Sequence, residues 1–288
     1  MPFDTLISAQ DLASLRARGD TPLLIADCRF DLMDTGAGSQ AYRRGHLPGA
    51  HYLHLEEDLS GAVTGRNGRH PLPDRDALAA RLAALGMNDD TQLVAYDDAG
   101  GMYAARLWWL ARWLGHRAVA VLDGGVGAWT AAGLPMTDEP TTPPARRGNL
   151  RAGASLVRTV SHQDVRDNLI TGDRLVVDAR APDRFRGENE TIDPVGGHIP
   201  GARNRLFREN LDSTGRFRAP DDLRGAFAAL LDGRRAEQVI NQCGSGVTAC
   251  HNLLAMEIAG LTGAALYPGS WSEWCAQDGA PVATGPAD

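Results

Sequence analysis

Short apolar stretches alternate along the chain with longer ones whose apolar residues recur every three or four positions. "LLIADCRF" (23–30), "TQLVAYDD" (91–98), "VAVLDGG" (119–125), "RLVVDARA" (174–181) and "EQVINQC" (237–243) have the length and apolar content of buried strands. "DALAARLAAL" (76–85) and "DDLRGAFAALL" (221–231) carry the helical period. Strands alternating with helices predict βα units around a mainly parallel sheet, an α/β fold. In such sheets, sites form beyond the carboxyl ends of the strands.

The pattern occurs twice. "LLIADCRF" and "RLVVDARA" are both apolar stubs ending in Asp-x-Arg. "YRRGHLPGA" (42–50) and "VGGHIPGA" (195–202) both close on Gly-His-(Leu/Ile)-Pro-Gly-Ala. Each copy then offers a strand, a small-residue loop and a helix, and later a strand, a glycine turn and a tryptophan, Trp129 or Trp274. The offset is about 150 residues, too long for a solenoid repeat, so two copies of one domain are expected. The Pro- and Thr-rich "TDEPTTPPARRGNLRAG" (137–153) reads as the connection. The expected division is a first domain over 1–139, a linker over 140–155 and a second domain over 156–288.

Composition narrows the chemistry. The 288 residues are 43% hydrophobic and 23% charged, enough for a full core in each of two soluble domains. No apolar run approaches the roughly 18 residues of a bilayer span, so no membrane association is expected. Asp4 lies early and no basic stretch precedes an apolar one, so no signal peptide and a cytoplasmic location are expected. The net charge of −7 argues against a nucleic-acid partner. All 29 basic residues are Arg, which excludes lysine Schiff-base chemistry and a P-loop. "LDGGVGAW" lacks the dinucleotide-binding spacing, and no cofactor is expected. Cys28, Cys243, Cys250 and Cys275 form no Cys-x-x-Cys pair, and His46, His51 and His54 lie in no carboxylate-rich motif; free thiols and no metal are expected.

One thiol stands apart. In "VINQCGSGVTACH" (239–251), Cys243 follows a strand directly and precedes a Gly-Ser-Gly loop and a helical pattern of Leu253, Leu254, Ile258 and Leu261. Backbone N–H groups at a helix start favour an anion. Gly244 and Gly246 let more of them turn inward, and Ser245 and Thr248 add hydroxyls. The cradle should hold Cys243 as a thiolate or terminal persulfide, making it the candidate nucleophile. Aligning the apolar stubs of the two copies sets Asp98 opposite Cys243, so copy one should be non-catalytic. Cys250, two helical turns on, reads as packing, as do Cys28 and Cys275. His46 and His198 read as holders of the Pro-Gly turns, and Trp108, Trp109 and Trp113 as apolar packing.

The tandem repeat, the two Gly-His-x-Pro-Gly-Ala motifs and "CGSGVTA" together resemble the two-domain rhodanese-like sulfurtransferases, over nearly the whole chain. The loop "CGSGVT" resembles the 3-mercaptopyruvate type; the thiosulfate type has basic residues where this chain has Gly244 and Ser245. The resemblance implies two tandem rhodanese-like domains. It implies double displacement: Cys243 takes a sulfur atom from 3-mercaptopyruvate, and cyanide, a small thiol or thioredoxin removes it. It places Arg184, in "DARAPDRF", on the donor's carboxylate, with Gly244, Gly246, Val247 and Thr248 around the substrate. It implies a relay of Ser245, His70 in "RHPLP", and an acid, with Asp58 favoured over Glu56. The mercaptopyruvate type carries a second arginine before Gly-His-x-Pro-Gly. This chain has none between Arg186 and His198, and Arg186 is one candidate substitute.

Three rivals remain. A cell-cycle-type phosphatase needs Cys-x5-Arg, but the sixth residue after Cys243 is Ala249. A non-catalytic binding module describes copy one and not copy two. Thiosulfate, a dianion, stays open as the donor, although a loop without basic groups suits a monocarboxylate better.

Overall fold

The structure, a computed structural model, describes residues 2–142 and 144–286. It contains two compact units. The first holds β1 (Leu6–Ile7), α1 (Ala9–Arg18), β2 (Leu23–Asp27), α2 (Ala37–Arg44), β3 (Ala50–Tyr52), α3 (Arg75–Ala84), β4 (Gln92–Tyr96), α4 (Ala104–Trp113), β5 (Val119–Leu122) and α5 (Gly125–Ala131). The second holds β6 (Arg158–Thr159), α6 (His162–Thr171), β7 (Leu175–Asp178), α7 (Pro182–Arg186), β8 (Arg203–Asn204), α8 (Pro220–Leu231), β9 (Val239–Gln242), α9 (Thr248–Ile258), β10 (Ala265–Leu266) and α10 (Ser270–Trp274). Each unit is a five-stranded parallel sheet flanked by helices. The strand orders, β1-β5-β4-β2-β3 and β6-β10-β9-β7-β8, are the same order twice.

Local chemistry repeats with the topology. Ser8 and Ser161 cap α1 and α6, each accepting from the backbone N–H three residues on at 3.1 Å, and left-handed Gly19 and Gly172 end those helices. Central strands β4 and β9 are buried throughout, as the apolar runs required. The Asp-x-Arg pairs act as clamps. Arg29 holds the Asp27 carboxylate and donates to Gly45 O at 2.7 Å; Arg180 holds Asp178 and donates to Gly197 O at 2.7 Å. His46 and His198 sit in the turns so tethered. Their Nδ1 atoms lie 2.8 Å from Tyr42 O and Phe185 O, and their rings stack on Tyr42 and Phe185. Trp108 and Trp109 are fully buried on α4.

The unit boundaries cross the simple halves of the chain. The first unit comprises 1–61, 73–156 and 213–217, and the second 62–72, 157–212 and 218–288. The expected linker runs along the first unit: Gly148 N donates to Ala83 O at 2.8 Å and Gly153 N to Leu114 O at 2.8 Å. The excursion of 62–72 into the second unit matters for the site, because it carries His70.

The strand register corrects one sequence alignment. Asp27 of β2 pairs with Tyr96 of β4, and Asp178 of β7 pairs with Gln242 of β9. The residue opposite Cys243 is therefore Asp97, not Asp98. Apolar content aligned Val94 with Val239, but the clamp aspartates align Leu93 with Val239. A one-residue slip exchanges the inward and outward faces. Asp97 is fully buried, whereas Asp98 is exposed.

Candidate active site

Cys243 is the first residue past the carboxyl end of β9, and the loop 243–247 leads into α9. Its main chain is held on both sides: its N–H donates to Ser270 Oγ at 3.1 Å, and its carbonyl accepts from Trp271 N at 2.9 Å. Ser270 is wholly buried and sits at φ +55°, a strained conformation for a residue with a Cβ; its hydroxyl donates to Tyr267 O at 2.9 Å. Gly244 O accepts from Ser272 N at 2.9 Å. Gly246, at φ +78°, lies where a Cβ would overlap the carbonyl oxygen of Pro268, so only glycine fits. That turn aims the Gly246 N–H at Cys243 Sγ, 3.1 Å away. The thiol is 2% exposed, shielded from bulk water but carrying a backbone donor.

His70 Nδ1 lies 2.7 Å from Ser245 Oγ, and both side chains are buried. The segment 62–72 is seated beside the loop by Arg69 N, which donates to Ser272 Oγ at 3.1 Å, and by Gly68, whose missing Cβ leaves room for Gly269 O. Asp58 and Glu56 belong to the first unit. The Asp58 carboxylate accepts from Arg81 Nε at 2.6 Å and from His54 N at 2.8 Å, and Glu56 is exposed. The structure thus brings Ser245 and His70 together and gives Asp58 a cationic partner of its own.

Arg184, on α7, faces the loop: its Nη atoms lie 3.7 and 3.8 Å from where a Cβ on Gly244 would stand. Val247 is buried at the entry to α9, and Thr248, half-buried, is its first residue. Arg186 turns away and pairs with Glu188 at 2.7 Å on the surface. The second cation at the loop is Arg69, whose Nη2 lies 2.9 Å from the same Gly244 Cβ position. Sequence reasoning passed over Arg69, although it stands next to His70 in "GRHPLP". Asp193, Ser270 and Ser272 were also missed, because nothing in their local sequence marks them.

The first unit shows what such a loop does with an anion. Asp97 Oδ1 accepts from Ala99 N and Gly101 N at 2.8 Å, and Oδ2 accepts from Tyr103 N at 2.8 Å and Ala104 N at 2.9 Å. Its carbonyl accepts from Val126 N at 3.0 Å, the counterpart of the Cys243–Trp271 bond. Burial pushes the Asp97 carboxyl above its usual range, and the four amides pull it back. This loop is filled by its own side chain.

A family model described as the rhodanese-like domain matches residues 8–132 and 161–277, one match in each unit. The chain belongs to the rhodanese-like family. Among relatives, a Pseudomonas aeruginosa protein described as a probable 3-mercaptopyruvate sulfurtransferase is 48% identical over 97% of this chain and 98% of its own. The thiosulfate sulfurtransferase of Bos taurus is 35% identical over 94% of this chain and 92% of its own. The solved 3-mercaptopyruvate sulfurtransferase from Leishmania major, 30% identical, superposes with a TM-score of 0.82 over 94% of this chain and 74% of that one. Both units are rhodanese domains, and only the second carries cysteine at the loop position. Among the described residues, no helix is long and apolar enough to cross a membrane.

Proposed function

We propose that this rhodanese-like protein transfers sulfur from 3-mercaptopyruvate to a thiophilic acceptor through a persulfide on Cys243. The reading rests above all on the Gly246 N–H directed at Cys243 Sγ, a donor that favours sulfur in its anionic form, as thiolate before transfer and persulfide after it. The Cys243 thiolate attacks the donor's thiol sulfur. The Sγ–S bond forms, and the donor's C–S bond breaks with its electrons passing into the adjacent carbonyl as an enolate. The thiol proton ends on the methyl carbon of pyruvate. Cys243 is left as a persulfide anion, and cyanide, a small thiol or thioredoxin removes the outer sulfur and restores the thiolate. Cyanide leaves as thiocyanate.

The Ser245–His70 pair, in contact at 2.7 Å, is assigned to carry the thiol proton. Arg184 is the anchor for the donor's carboxylate. Asp58, bound to Arg81, is assigned to orienting the 54–58 turn. Among the described residues no two cysteines are joined in a disulfide, in keeping with a reducing compartment, and we place the protein in the cytoplasm. Thiosulfate is the second reading, favoured by the presence of two guanidinium groups at Gly244 instead of one.

The test is a parallel assay of both donors with cyanide as acceptor, alongside mass spectrometry of the Cys243 peptide after donor alone. A peptide heavier by one sulfur, with a higher kcat/KM for 3-mercaptopyruvate, is expected. Turnover that persists in Cys243→Ser refutes the persulfide route, and a preference for thiosulfate selects the second reading.

A further inference from the structure

The cations beside the loop come with a carboxylate already in place. Asp193 lies between Arg69 and Arg184: Oδ1 accepts from Arg69 Nη1, and Oδ2 accepts from Arg184 Nη2 at 3.1 Å. Its side chain is 2% exposed, while those of Arg69 and Arg184 are 26% and 18% exposed. Glu190 takes the other edge of Arg184, accepting from Nε at 3.0 Å and Nη2 at 2.9 Å. Arg69 Nε is buried and has no hydrogen-bond partner among the described residues. Both guanidiniums also reach the Gly244 position next to the nucleophile. Two cations thus face the loop, balanced by two carboxylates behind them. Burial, and then Glu190, push the Asp193 carboxyl upward, while Arg69 and Arg184 pull it down.

We propose that Arg69 is the second anion-binding residue of the donor site, and that Asp193, its resident counter-ion, sets the donor charge the site accepts. This deepens the reading of Cys243 as a sulfur-transfer nucleophile and rests on it. With Asp193 and Glu190 both ionised, the charge of the two guanidiniums is nearly neutralised. A monocarboxylate then needs only to share their remaining N–H donors, whereas a dianion meets little net positive charge. An uncharged amide at 193 leaves both guanidiniums uncompensated on that side. Because Coulomb attraction scales with ligand charge, the gain is larger for thiosulfate than for 3-mercaptopyruvate. Recognition here depends on a carboxylate within the protein, which the basic content of the loop does not reveal.

The experiment compares the full chain with its Arg69→Gln, Arg69→Lys, Asp193→Asn and Arg186→Gln variants, each checked for folding by circular dichroism. Two readouts are taken: steady-state kinetics with each donor and cyanide, and protection of Cys243 from iodoacetamide by pyruvate, which needs no turnover. Arg69→Gln is expected to raise the 3-mercaptopyruvate KM and the pyruvate concentration for half-protection at least about tenfold, with kcat within about threefold. Arg69→Lys retains the charge without the planar fork and should fall between, which keeps the test open if the glutamine variant does not fold. Asp193→Asn is expected to shift the ratio of thiosulfate to 3-mercaptopyruvate kcat/KM toward thiosulfate by about tenfold or more. Arg186→Gln should match the parent. Unchanged KM and protection in a folded Arg69 variant, or an unchanged donor ratio in Asp193→Asn, overturns the proposal. A parent protein that forms no persulfide with either donor removes the Cys243 reading instead, while the pyruvate protection still reports on Arg69.

Discussion

Asp97 and Cys243 hold the same place in the two units: each is the first residue beyond the central strand, and each has its carbonyl bound by an N–H from the start of the unit's last helix. In one unit the loop amides close on a carboxylate belonging to the chain. In the other an amide points at a thiol. One fold thus yields a loop closed on a carboxylate and a loop turned toward a thiol, and the difference is one side chain and the loop that follows it.

Asp97 should be essential to the first unit's stability. Replacing it with Ala strands four backbone donors, three of them in buried hydrogen bonds, and we expect a loss of about 3 kcal/mol or more in urea unfolding. Asp98→Ala, at the exposed neighbour, should change stability by no more than about 0.5 kcal/mol. Equal effects at both positions would contradict the strand register. Neither change should alter the chemistry at Cys243.

Loss of the Ser245–His70 contact should matter for one donor and not the other. The sulfur of 3-mercaptopyruvate bears a proton that must move, while the outer sulfur of thiosulfate bears none. Ser245→Ala and His70→Gln are each expected to lower kcat with 3-mercaptopyruvate by about 10²-fold and to leave thiosulfate turnover nearly unchanged. A uniform drop with both donors would assign the pair to holding the loop in place.

Gly246→Ala tests the turn that supplies the sulfur's backbone donor. The left-handed φ of +78° and the nearby Pro268 carbonyl leave no room for a methyl group. A stability loss of about 2 kcal/mol or more is expected, together with a fall in kcat at least tenfold. Calorimetry and donor kinetics on the same preparation would show whether the two losses travel together.

The thiols should separate by reactivity. Burial pushes Cys275 up to about 11, so at pH 8 only about a thousandth of it is thiolate. Cys28 is likewise pushed well up, by burial and by Asp27. Iodoacetamide at pH 8 should label Cys243 ahead of both, and Cys275 labelling should rise about tenfold per pH unit up to pH 10. Peptide mapping that finds Cys275 or Cys28 labelled first would argue against an activated Cys243.

Most of the architecture was legible in the chain itself, because its causes are local. Apolar runs of strand length, helical periodicity and paired Gly-His-x-Pro-Gly-Ala turns act over a few residues, and two copies of each leave little choice of fold. The nucleophile was legible for the same reason: a cysteine between a buried strand and a Gly-Ser-Gly turn is a local arrangement. The Asp97 register was not, since both alignments keep apolar residues in the strand and only pairing with Asp27 separates them. The donor site was legible least of all. Arg69 reaches Gly244 from a segment about 175 residues away in the chain, and Asp193 lies in an irregular stretch with no periodicity to mark it. Long-range electrostatic partners are chosen by where the chain returns in space, and only the tertiary structure decides that.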